Sequence, residues 1–94
     1  MVEVREHDGP KGGEYFAVDL SDGRALHVSR KPDDKRVWLG RPEQPETYQG
    51  QPGGIGTISK LLDEWRARVA LDPAMAEMYK ALAALDAARK GHAR

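Results

Sequence analysis

Cysteine is absent from this chain of 94 residues, and aromatic residues make up only 6% of it. The 15 lysines and arginines are balanced by 15 aspartates and glutamates, so no net charge remains. Each lack removes a class of chemistry. Without cysteine there are no disulfides, no thiolate nucleophile and no cysteine-ligated zinc site. Without a basic excess, gripping a phosphate backbone by counterion release is disfavoured. No apolar run approaches the length of a bilayer crossing, and Met1-Val2-Glu3-Val4-Arg5 alternates apolar and charged residues where a signal peptide needs a continuous apolar stretch. The expectation is one small cytoplasmic domain over residues 1–94 with no membrane contact. At this length about 60–65% of the unfolded surface can be buried, enough for a core but little for a deep pocket.

What the chain does have is a change of period. Up to Gly40 apolar residues alternate one in two, as in Phe16/Val18/Leu20, Leu26/Val28 and Val37/Leu39. From Ile55 they recur every three to four, as in Ile58, Leu61, Leu62, Trp65 and Val69. The spacing predicts an α+β fold: a three- to four-stranded antiparallel meander followed by two C-terminal helices, at least one packed on the sheet. Strands are expected at Val2–His7, Glu14–Leu20, Ala25–Arg30 and Arg36–Gly40. Asp22-Gly23 supplies a hairpin turn, because both positions tolerate positive φ. On the third strand Leu26 and Val28 point inward, with His27 and Ser29 facing solvent. Residues 41–56 read as a proline- and glycine-rich loop, containing Tyr48 and crossing a sheet edge. Helices follow from Thr57 or Ser59 to Ala70, and from Pro73, capped by Asp72, to Lys90. Trp65 is expected to anchor the first helix against Phe16, Val18 and Leu26.

Candidate chemistry is sparse. Gly53-Gly54-Ile55-Gly56-Thr57-Ile58-Ser59-Lys60 leads into a helix N-terminus, yet it matches neither a phosphate-binding loop nor a dinucleotide fingerprint. It reads as a linker into an N-cap. His7, His27 and His92 lack the spacing of a helical metal site. Asp33-Asp34 suits a turn, while Asp63 and Glu64 suit helical pairs with Arg66 and Arg68. No nucleophile–base set is visible, so no catalytic residue, metal or cofactor is expected.

Two surfaces carry functional expectations. The first is the seam Met75, Met78, Tyr79, Leu82 and Leu85 on the second helix. If the first helix covers the sheet, this seam is left partly free to meet another protein or a second copy of the chain. That makes the leading expectation a non-enzymatic protein-interaction module: a small accessory, adaptor or inhibitory protein. The second surface is basic: Arg30, Lys31, Lys35 and Arg36 around a hairpin, with Trp38 nearby to stack on bases and Arg24 and Arg41 at neighbouring strand ends.

Three strands, a helix and the stretch from Gly-Arg-Ala-Leu-His-Val-Ser (23–29) to Arg-Val-Trp-Leu-Gly (36–40) resemble the arm-type DNA-binding domains of phage integrases, over less than a third of the chain. The resemblance implies nucleic-acid binding through that hairpin, the alternative function. A compact neutral chain without motifs also suits a mobile-element inhibitor such as an anti-CRISPR protein.

Overall fold

The computed structural model describes residues 2–10, 12–45 and 53–92. Five antiparallel strands pair strictly in chain order and two helices follow. The strands are β1 Arg5–Asp8, β2 Glu14–Asp19, β3 Ala25–Ser29, β4 Arg36–Gly40 and β5 Gly56–Thr57. The helices are α1 Ile58–Val69 and α2 Met75–His92. The α+β meander expected from the two periodicities is therefore the fold.

Strands β2 and β3 are joined as their turn residues require. Gly23 takes φ +91°, and Asp22 Oδ1 accepts the Arg24 N–H at 2.9 Å. Strand β1 starts at Arg5 rather than Val2. Its register runs from Arg5 opposite Ala17 to Asp8 opposite Glu14. The fifth strand was not expected. Gly54, at φ +78°, passes so close to β4 that a Cβ there would lie 2.5 Å from the Val37 carbonyl oxygen. The Ile55 N–H then bonds that same oxygen at 2.8 Å, and Gly56–Thr57 pairs with Arg36 and Val37.

Thr57 is the N-cap of α1 but makes no side-chain capping bond. Asp72 does cap the next turn, accepting the Ala74 N–H at 3.0 Å, and α2 begins at Met75. Trp65 is buried with Phe16, Val18 and Leu26 in the main core, as expected. The division of labour between the helices is the reverse of the expected one. Helix α2 lies over β2 and β3, while α1 packs alongside α2 and next to β5. The chain enters α1 directly from the sheet edge at β5, which leaves the centre of the sheet to α2.

The other face of the sheet is covered too. His7, Ala17, Ala25, His27, Ser29 and Trp38 lie on it, and all are buried. The solvated positions expected for His27 and Ser29 are thus corrected, to 0% and 6% exposure. The covering segment comes from the expected loop. Beyond Gly40 the chain folds back so tightly that a Cβ on Gly40 would meet the Gln44 carbonyl oxygen at 2.7 Å, and Pro45 is buried. This stretch, Arg41–Pro45, is a strap over the face rather than a loop along its edge. Tyr48 lies outside the described residues.

Candidate functional site

The expected interface seam divides on inspection. Leu82 and Leu85 are fully buried, and Met75, Met78 and Tyr79 are half-buried against the same core. A side chain that already fills the helix–sheet core cannot also meet a partner while the chain stays folded. Leu82 and Leu85 are therefore core residues, because α2 rather than α1 covers the sheet. Tyr79 has a further local role, since its hydroxyl accepts from Arg66 Nε at 3.4 Å.

The basic hairpin is also dispersed. Asp8, Glu14 and Arg30 stand in one row across three adjacent strands. The Arg30 guanidinium lies 3.4 Å from Asp8, 3.8 Å from Glu14 and 3.9 Å from Glu6, so its charge is met within the molecule. Arg36 pairs with Asp34 at 2.9 Å, which holds the Asp34 carboxyl below its ordinary range, and its guanidinium lies over the Trp38 ring. Trp38 is 3% exposed and has no free face for a base. Lys31 and Lys35 extend from the turn into solvent, and Arg36 beside them is exposed as well.

One surface feature brings several elements together. An open groove of about 550 Å³ runs between the β3–β4 turn, one flank of α1 and the C-terminal turns of α2. Its apolar lining is Pro32, Ile58 and Leu62; its charged rim includes Lys35, Asp63 and Arg66. Arg89 crosses from α2 and donates to the carbonyls of Pro32 and Asp34, at 3.2 and 2.9 Å. That crosslink ties the turn to the helix and fixes the groove's walls. Asp86 is neutralised by Lys90, four residues on, at 2.9 Å. Lys35 extends the groove into a second, shallower recess shared with Lys31, Arg36 and Thr57.

On the opposite side, the strap covers a polar cluster that sequence reasoning missed. His7 Nε2 lies 2.9 Å from His27 Nδ1, and His27 Nε2 lies 3.1 Å from the Arg41 carbonyl oxygen. Since a carbonyl only accepts, His27 carries its proton on Nε2 and its Nδ1 accepts from His7. Glu43, at φ +60°, reaches back from the strap to ion-pair with Arg5 and brings Oε2 within 3.0 Å of His7 Nδ1. Arg5 is held from the other side by Asp19 at 2.9 Å, and that bond keeps the Asp19 carboxyl low. Tyr15 stacks on the His7 ring at 5.3 Å. Burial pushes the His27 pKa down to about 4, with the nearby His7 adding to the effect; burial lowers His7 as well, against the pull of Glu43.

Alternation sets only the face each ring takes on its own strand; the register brings the two together. His7 and His27 occupy the same face two strands apart, with small Ala17 between them, opposite His27. Neither ring lines the groove by the helices or the recess beside it. Among the described residues, no group of three or more histidines and acids is placed to hold a metal ion, and no helix is long and apolar enough to cross a membrane. The chain matches no protein family model, no curated protein and no solved structure.

Proposed function

We propose that this chain is a non-enzymatic protein-binding module of the cytoplasm, acting as a small accessory, adaptor or inhibitory protein, and that the groove between the β3–β4 turn and the two helices is its contact surface. The observation that carries the reading is the composition of that groove. Pro32, Ile58 and Leu62 form an apolar floor inside a charged rim, between walls that Arg89 holds together. Protein interfaces have this anatomy, with an apolar centre and a polar border. The fitting partner is a protein segment that projects an apolar side chain toward Leu62 and a carboxylate toward Lys35 or Arg66. The titratable groups most displaced from solvent, His7 and His27, face each other and the strap rather than a groove, which supports binding over catalysis.

The test is capture from a nuclease-treated lysate by the wild-type chain and by a Lys35→Glu/Leu62→Glu variant that retains its circular dichroism spectrum and melting temperature. Wild type should retain a defined polypeptide that the variant loses. Retention of the same polypeptide by both, or of nucleic acid alone in an untreated lysate, would overturn this assignment of the surface.

A further inference from the structure

The cluster beneath the strap carries an inference independent of the groove. We propose that the Arg41–Pro45 segment is a proton-released strap: it lies on the sheet while the His7–His27 pair carries at most one proton beyond its neutral form, and leaves when the pair takes a second.

The geometry sets that limit. His27 spends its one N–H on the Arg41 carbonyl and its Nδ1 lone pair on His7. A proton added to the pair has one place to go without breaking a bond, His7 Nδ1. That atom is buried with no hydrogen-bond partner among the described residues, and it faces Glu43 Oε2 at 3.0 Å, off the line of a hydrogen bond. Filling it makes an imidazolium beside a carboxylate, which holds the strap. A second proton can only enter at His27 Nδ1. Two N–H groups would then point at each other across 2.9 Å, between two cations in a site closed to water. The rings must separate, and His27 is the ring bonded to the strap's backbone.

Every charged neighbour enters this balance. Arg5 on β1 opposes both protonations, as does Arg30 at the end of β3 for His7, while Asp19 on β2 favours the charged form of His27. Glu43 favours the charged form of His7 from the strap itself, and Tyr15 on β2 contributes a ring face. The low pKa of His27 agrees with a second proton that enters only in acid. Interacting imidazoles titrate as a pair, in two macroscopic steps.

The experiment is a pH titration of the intact chain by NMR, following the imidazole nitrogens of His7 and His27, the Trp38 indole N–H and the amides of Glu43 and Gln44. Near neutrality His27 should be the Nε2–H tautomer. In acid, the strap amides and the Trp38 indole should lose their native shifts in the same step as the second imidazole protonation, at a pH where α2 amides keep theirs. In a His27→Gln variant, whose side-chain amide still donates to Arg41 but takes up no proton, the strap should stay native through that pH. The proposal is overturned if strap and α2 are lost together, if the strap ignores the imidazole titration, or if His27→Gln releases at the wild-type pH. Should that variant fail to fold, the wild-type titration decides alone.

Discussion

Glu77, in the first turn of α2, accepts hydrogen bonds from both the hydroxyl and the backbone N–H of Ser21, at 3.0 and 3.2 Å. One carboxylate thus ties the β2–β3 turn to the start of the helix that covers the sheet, and complements that helix's dipole. Glu77→Ala should lower stability by about 1 kcal/mol, the scale of an exposed charge-assisted contact. Ser21→Ala, which keeps the backbone donor, should cost less. Chemical denaturation of the two variants checks the order.

Leu82→Ala should cost about 2–5 kcal/mol, because a fully buried leucine leaves a cavity between α2 and the sheet. Leu62→Ala, on a half-buried side chain at the groove floor, should cost clearly less. Comparable losses in a thermal melt would mean that the groove is part of the core.

Two glycines with positive φ separate backbone strain from crowding. At Gly23 a Cβ would meet nothing within 4 Å, so Gly23→Ala should cost about 1 kcal/mol for its left-handed conformation alone. At Gly54 the same conformation comes with a Cβ 2.5 Å from the Val37 oxygen, against which the sheet edge closes. Gly54→Ala should cost at least about twice as much, and NMR should show the disturbance at β5 and the start of α1.

The pH dependence has a defined sign. His27 ordinarily titrates near 6.5 and here near 4, so between those values the unfolded chain binds a proton that the folded chain refuses. Its contribution to stability is complete above pH 6.5 and falls as pH drops toward 4, by on the order of 3 kcal/mol in all. His7, also lowered, acts in the same direction. The lowered carboxyls of Asp19 and Asp34 lose their contribution only further into acid, below 3.8. Denaturant melts from pH 7 to 4 should show the slope, and His27→Gln should flatten it.

Duplex and single-stranded DNA should bind weakly near physiological salt. Arg30 is neutralised by its own strands and Trp38 is covered. Fluorescence anisotropy with labelled oligonucleotides measures this; submicromolar, salt-sensitive binding would restore the basic hairpin as the functional surface.

Strands β2 to β4 were legible because Phe16/Val18, Leu26/Val28 and Val37/Leu39 alternate, and a half-buried sheet needs that period. The helices were legible for the same kind of reason. Which helix covers the sheet was not. The stripes of α1 and α2 both read as core, and the choice follows from the path after Gly54, which periodicity does not encode. His27 and Ser29 misled for a related reason. A polar residue at an outward position reads as solvated, and the strap over that face, Arg-Pro-Glu-Gln-Pro at 41–45, has no apolar period to announce it. The Arg89 crosslink and the His7–His27 pair join residues far apart in sequence, so they became visible only with the register.

The order of synthesis gives the fold's arrangement a temporal side. Strands β2 to β4 leave the ribosome before α2, the element that closes over β2 and β3. At roughly 5–20 residues per second, the interval lasts a few seconds. The strap is made directly after β4, so the His27 and Trp38 face can be sheltered while the Phe16, Val18 and Val28 face still waits for its cover. The nascent sheet is therefore one-sided, and its apolar side stays open until the last helix emerges.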